Sequence, residues 1–206
     1  VFITFEGIDG SGKTTQIKLL EERLLENEHR VEIFRDPGGT EASEKIRQLL
    51  LSPDFDIHPV TELLLFSAAR AQLITEMVEP LLENDTTVIL DRYYDSTIAY
   101  QGHGRSSLPL KDIHKLNKIA SHYTVPDITF YLKISLEEAQ NRTAKKLKDR
   151  MEQSGKVFYK KVIEGFDLLA ESEKRIVAVD ATAATDHIHQ VIWEEMLCKF
   201  ENLSTS

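Results

Sequence analysis

Glu6 to Thr15 reads EGIDGSGKTT, and Gly7, Gly12, Lys13 and Thr14 within it match G-x-x-x-x-G-K-[ST]. Glycines let a backbone wrap a phosphate closely, without Cβ clashes. Exposed N–H groups and the start of a following helix add positive potential. Gly7, Ile8, Asp9, Gly10, Ser11, Gly12, Lys13, Thr14 and Thr15 are therefore the candidate cradle for a nucleoside triphosphate. In such a cradle the lysine reaches the β- and γ-phosphates and the Thr14 hydroxyl ligates Mg²⁺. The plainer alternative is a glycine-rich turn that caps a helix. A strand-like run before the loop and a helical pattern after it are the context the phosphate reading requires.

The second half of such a site is an acidic residue at a strand end. Asp91 follows Val88-Ile-Leu90 directly and is the candidate on the Mg²⁺ side. Arg35 ends another apolar run, and Arg92 follows Asp91. Parallel strands end on one edge of a sheet, so both arginines can face the loop after the first strand. Guanidinium forks suit phosphate oxygens. Arg142 to Gly155 collects Arg142, Lys145, Lys146, Lys148 and Arg150 in a chain whose net charge is −9. A charge run is usually a solvated helix face. Beyond the fourth strand, and ending in Ser-Gly, this one also fits a short mobile lid, about residues 142–156.

Elements that position these groups are legible from periodicity. Strands are expected at Phe2–Glu6, Val31–Phe34, Thr87–Leu90, Asp127–Leu132 and Ile176–Val179. Helical patterns run over Ile17–Leu25, Glu41–Leu51, Pro59–Glu83, Leu110–His122, Leu136–Lys146, Val157–Glu173 and His187–Phe200, with Pro80 expected to kink or end the long third one. Gly102-His-Gly104 reads as a break. Alternating strands and helices predict an α/β fold, with a parallel sheet covered on both faces. The 206 residues, without a repeat or linker, read as one domain.

Composition narrows the function. The acidic balance argues against a nucleic-acid binder but not against a small anionic ligand in a locally basic pocket. The single Cys198 excludes an intrachain disulfide framework and fits a reducing, cytoplasmic setting. No apolar run is long enough to span a membrane and no signal peptide is expected. A guanine-specific switch should carry Asn-Lys-x-Asp. The only Asn-Lys, Asn117-Lys118, is followed by Ile119-Ala120 inside a predicted helix. Small size favours a kinase of a small metabolite over a motor subunit.

The ordered set EGIDGSGKTT, FRDPGGT, LLLFSAARAQ, ILDRYYDSTIAYQG, PDITFYL, DRME and VDAT resembles the thymidylate kinases, across residues 2–182. The resemblance implies a P-loop NTPase fold with a five-stranded parallel sheet. It also implies transfer of the γ-phosphoryl group of ATP to dTMP with Mg²⁺, and a homodimer. The stretch Leu63–Leu82 offers apolar surface for such pairing, or simply core.

By the same resemblance Phe66 stacks on the base and Arg70 bonds it, two positions one turn apart on a helix face. Ser96, Thr97 and Gln101 lie near the base edge, and Tyr100 packs on the deoxyribose. Asp9 approaches the sugar and the acceptor-side arginine, and Arg35 with Arg92 contacts the acceptor phosphate. Lys13, Asp9, Arg92 and Arg150 form the implied catalytic set. Gly10 stands where one branch of the family has a basic loop residue, so Arg150 in Asp149-Arg-Met-Glu152 is expected to reach the transferring phosphoryl group. Two departures stand out: Asp36 where the family usually has Glu, and Phe158-Tyr159-Lys160-Lys161 where aromatics are often followed by Arg. The alternatives are another nucleoside monophosphate kinase, a deoxynucleoside kinase with Glu6 or Asp36 as base, or a nucleotide-binding switch without turnover.

Overall fold

The computed structural model describes residues 1–144, 150–151 and 153–204, the last few without their side chains. Five parallel strands form one sheet: β1 (Phe2–Glu6), β2 (Val31–Arg35), β3 (Thr87–Asp91), β4 (Ile128–Lys133) and β5 (Ile176–Asp180), in the order β2-β3-β1-β4-β5. Their near-continuous apolar runs follow from burial on both faces. All residues of β1 are buried, and so are Val88, Ile89 and Leu90 of β3 and Phe130, Tyr131 and Leu132 of β4.

Register decides what the strand ends bring together. Phe5 pairs with Asp91, and Asp91 pairs with Arg35. The loop leaving β1, the acidic end of β3 and the basic end of β2 thus meet at one edge.

The helices are α1 (Lys13–Glu26), α2 (Glu41–Leu51), α3 (Pro59–Leu73), α4 (Glu79–Glu83), α5 (Tyr94–Thr97), α6 (Leu110–Ala120), α7 (Leu136–Thr143), α8 (Lys156–Ser172) and α9 (Thr185–Ser204). Thr40 caps α2 by accepting from the Ser43 amide, and Ser135 caps α7 by accepting from Glu138. The long third pattern does not stop before Pro80. A π-helical turn, Ile74–Val78, joins α3 to α4, and Pro80 falls in the first turn of α4, where its missing N–H matters least. A second π-helical stretch, Ile98–Gly104, continues α5 through the segment that the two glycines mark as a break. α8 lies close against that stretch: a Cβ on Gly165 would come within 3.1 Å of the Ala99 Cα.

The expected lid falls partly outside the described residues: Lys145, Lys146, Lys148, Asp149 and Glu152 belong there. Among the described residues no helix is long and apolar enough to cross a membrane.

One buried ion pair ties the sheet to α5. Arg175 donates from Nη1 and Nη2 to both oxygens of Asp95, at 2.8 and 2.7 Å, and also to Thr129 Oγ1 at 2.7 Å. Asp95 is fully buried. Removing its partner would leave an uncompensated buried carboxylate, the costly way to break such a pair. Arg175→Met is expected to lower unfolding free energy by about 3–5 kcal/mol, with Asp95→Asn/Arg175→Met recovering much of it. Urea titrations of the three proteins check this.

Candidate active site

The phosphate loop takes its shape from backbone angles that side chains resist. Gly7 has φ +132° and Gly10 has φ +89°, and a Cβ on either would meet a backbone oxygen, of Leu132 or of Ala139, at 2.7 Å. Gly12 caps α1 in a left-handed conformation with no side-chain hydrogen bond, so no side chain competes for the first amides of α1. Lys13 is buried, and its Nζ donates to the Gly7 carbonyl at 3.0 Å and to that of Ile8 at 3.4 Å. Burial, and then the nearby Arg92 guanidinium, lower its pKa from the ordinary lysine value.

A polar cavity of about 300 Å³ opens on this loop. Asp9, Gly10, Gly12, Lys13, Thr14 and Thr15 line it, together with Arg35, Asp91, Arg92 and Arg142. The structure therefore brings the loop, the candidate metal-side carboxylate and two expected arginines to one space. Arg35 also pairs with Glu44 at 2.9 Å and stays about half exposed. The Asp91 Oδ1 atom is buried without a hydrogen-bond partner among the described residues, and Thr14 in the same cavity is exposed. A hydroxyl and a carboxylate oxygen fit a hard divalent cation that keeps waters and phosphate oxygens as its other ligands.

A narrower cavity of about 100 Å³ adjoins it and shares Asp9, Asp36, Arg47 and Arg92. Phe66, Arg70, Ser96, Thr97, Tyr100 and Gln101 line its walls, so these sequence-derived base and sugar candidates converge. Arg70 is almost fully buried. Its Nε donates to Asp36 Oδ2 at 2.5 Å, Nη2 to Thr97 Oγ1 at 2.8 Å and Nη1 to Asn117 Oδ1 at 3.2 Å. Those bonds use three of its five N–H donors. Asp36 thus contacts Arg70 directly, despite being one methylene shorter than the usual Glu. Burial raises the pKa of Asp36, and Arg70 opposes that rise. The Tyr100 hydroxyl is buried with no partner among the described residues, which leaves it one bond short.

Arg92 stands between the cavities. Its φ of +73° is uncommon for a residue with a side chain. Nη1 donates to the Gly7 carbonyl at 2.8 Å and Nη2 to Asp9 Oδ1 at 2.9 Å, while the guanidinium lies 5.1 Å from the Tyr100 ring centroid. Glu6 supports this turn from below. Its carboxylate accepts from the Tyr93 amide at 2.8 Å, the Ser96 amide at 3.2 Å and the Ser96 hydroxyl at 2.5 Å.

Arg150 lies elsewhere. Its Nε donates to the Leu50 carbonyl at 2.7 Å, at the C-terminal end of α2, and Nη2 is 2.7 Å from Glu62 Oε2. It lines neither cavity, whereas the neighbouring Met151 roofs the narrower one. Among the described residues of that region, Arg142 lines the larger cavity, held by Glu138 at 2.9 Å and by the Ala181 carbonyl at 3.1 Å.

Sequence reasoning misses Arg47, Asn117 and Glu62. Arg47 lines both cavities and donates to the Pro37 carbonyl at 3.0 Å. Asn117 belongs to the Asn-Lys pair weighed only as a guanine motif. Glu62 had a signal, since it precedes Phe66 and Arg70 by one and two helical turns on the same face.

Burial, and then the neighbouring Asp95, push Glu6 from its ordinary 4.5 up to about 7. Between those values the folded chain holds a proton that the unfolded chain releases, so stability falls as pH rises through that window. Unfolding free energy is expected to decline from pH 5 to pH 7.5, and Glu6→Gln is expected to flatten part of that decline. Urea unfolding of both proteins at stepped pH measures the difference; parallel curves would remove Glu6 as a source.

The family model described as Thymidylate kinase matches residues 5–192. The thymidylate kinase of Prosthecochloris aestuarii is 47% identical, covering 97% of this chain and 94% of the relative. That of Chlorobaculum tepidum is 47% identical over 93% of this chain and 94% of the relative. That of Thermoanaerobacter sp. strain X514 is 44% identical over 93% and 94%. With a family model matching residues 5–192 and these relatives 44–47% identical over nearly the whole chain, it belongs to the thymidylate kinase family.

Proposed function

We propose that this chain transfers the γ-phosphoryl group of ATP to the 5′-phosphate of dTMP, giving dTDP and ADP. The observation that carries this reading is the junction of two cavities, one rimmed by the phosphate loop and one walled by Phe66, Arg70 and Gln101, with Arg92 and Arg47 on their common border. Two anionic groups held from either side would face each other there.

In this reading the loop amides and Lys13 hold the β- and γ-phosphates of ATP. Arg92 and Arg35 hold the acceptor phosphate, with Asp9 orienting Arg92. Phe66 stacks on thymine, Arg70 donates to its O4, and Gln101, with Ser96 and Thr97, borders the remaining edge. Tyr100 packs against the deoxyribose, where its phenol crowds a 2′-hydroxyl. Mg²⁺ suits the Thr14 and Asp91 oxygens and supplies charge neutralisation at the transferring phosphoryl oxygens. Little covalent chemistry is left for the protein. Positioning and charge stabilisation dominate phosphoryl transfer, and no strong general base is needed.

Arg150 is the lid arginine in this scheme. It would reach the phosphoryl group only after leaving Glu62 and Leu50, so a shift of Arg150 belongs to the proposed catalytic cycle. A second copy of the chain, which the family resemblance implies, would find Leu64 of α3 exposed.

A coupled ADP-release assay with Mg-ATP tests the reading, with dTMP, dUMP, dCMP, dGMP, AMP and thymidine as acceptors. Strong preference for dTMP is expected, with measurable dUMP turnover, because one methyl in an apolar pocket is worth about 1–3 kcal/mol. Turnover of thymidine but not dTMP would overturn the roles of Arg35 and Arg92. Arg150→Ala is expected to lower kcat by about 10²–10³-fold, the cost of one lost charge contact in the transition state, while calorimetric dTMP affinity changes far less. Lost affinity with kcat intact would instead make Arg150 a closure of the acceptor pocket.

A further inference from the structure

Glu62 is fully buried in the first turn of α3. Its Oε1 accepts from Gln101 Nε2 at 2.9 Å and lies 3.3 Å from Arg105 Nε. Its Oε2 lies 2.7 Å from Arg150 Nη2, an ion contact without the alignment of a hydrogen bond. One carboxylate is thus bracketed by two guanidinium groups from two other segments. Arg105 is itself fixed, donating to Ser154 Oγ at 2.8 Å and lying 4.4 Å from the Phe158 ring centroid.

A carboxylate held this way only accepts hydrogen bonds. The end of the Gln101 amide that meets it must then be the NH2, because amide oxygen against carboxylate is repulsive. Nitrogen and oxygen of a glutamine are assigned by such networks, and here the network permits one choice. The amide oxygen is what remains for the base pocket that Gln101 lines.

We propose that Glu62 is a specificity-determining positioning residue: by holding Gln101 Nε2, it makes this wall of the acceptor pocket present a hydrogen-bond acceptor to N3 of the base. The proposal rests on the pyrimidine monophosphate reading above. Thymine and uracil carry a proton at N3 and an acceptor at O4. Cytosine carries a lone pair at N3 and an amino group at C4. Arg70 only donates, so it favours O4 over an amino group. The oriented Gln101 adds a second, independent test at N3. Without the carboxylate, the Gln101 amide can turn over and donate to N3 of cytosine. Effects of Arg105 and Arg150 that are common to both pyrimidines cancel in a ratio.

The test is Glu62→Gln with Mg-ATP, measuring kcat/KM for dTMP, dUMP and dCMP. The dTMP-to-dCMP ratio is expected to fall at least tenfold, with dUMP following dTMP. In a Gln101→Ala background, Glu62→Gln should leave the ratio unchanged. If Glu62 only supports Arg105 and Arg150, both acceptors slow together and the ratio holds, which overturns the proposal.

Glu62→Gln leaves two guanidinium groups facing a neutral amide and can unfold the chain, so the wild-type protein carries an independent test. In ¹⁵N NMR the Gln101 Nε2 proton that meets Glu62 should exchange slowly in the free protein and stay slow when dTMP binds. Fast exchange of that proton, in the free protein or in the dTMP complex, would overturn it. Absence of dTMP turnover by the wild-type chain would overturn the acceptor assignment instead, while the free-protein spectrum still reads the Glu62 contact.

Discussion

Arg92 donates to the Gly7 carbonyl and to Asp9 from a left-handed backbone, and that contact locks the turn after β3 to the loop after β1. Both cavities border it. The geometry has a definite cause. Register puts Asp91 beside Phe5, so the next residue leaves the sheet next to the phosphate loop. Glu6 then gathers the Tyr93 and Ser96 amides and sets where α5 begins. Without this closure the phosphate cradle and the base pocket would be two unrelated hollows. With it, two anionic groups would meet at one guanidinium.

The narrower cavity is built from buried charge rather than from apolar packing alone. Arg70 pairs with Asp36, and Glu62 is shared by Arg105 and Arg150. Such pairs lose hydration and contribute little net stability compared with apolar side chains of similar volume. What they supply is direction. Asp36, Thr97 and Asn117 come from three different elements and fix the Arg70 plane. A planar fork held on three sides keeps its plane in one orientation, which in the proposed function spares a base the cost of ordering it.

Arg150 occupies a place that complements this design. It is held by the C-terminal end of α2 and by the buried Glu62, and the neighbouring Met151 lines the narrower cavity. A guanidinium is well suited to exchange one anionic partner for another, since carboxylate and phosphate oxygens present similar geometry to its fork. In the proposed cycle the same arginine would exchange the shared carboxylate for the phosphate side.

The sequence by itself determined what local physics determines. Glycine spacing marked the phosphate loop because only glycine tolerates the angles and close approaches found at Gly7 and Gly10. Apolar runs marked the five strands, and strand ends carried Arg35, Asp91 and Arg92 to one edge because parallel strands share a direction. The π-helical stretch Ile98–Gly104 was not legible, since two glycines mimic a break while tertiary packing against α8 supports the turn. Nor were the partners of the buried charges. Asp36 reaches Arg70 across 34 residues, Asn117 across 47, and Glu62 meets both Gln101 and Arg150. Periodicity tells which face a side chain takes within its own element. Which opposite charge it meets depends on how separate elements pack, and only the tertiary structure decided that.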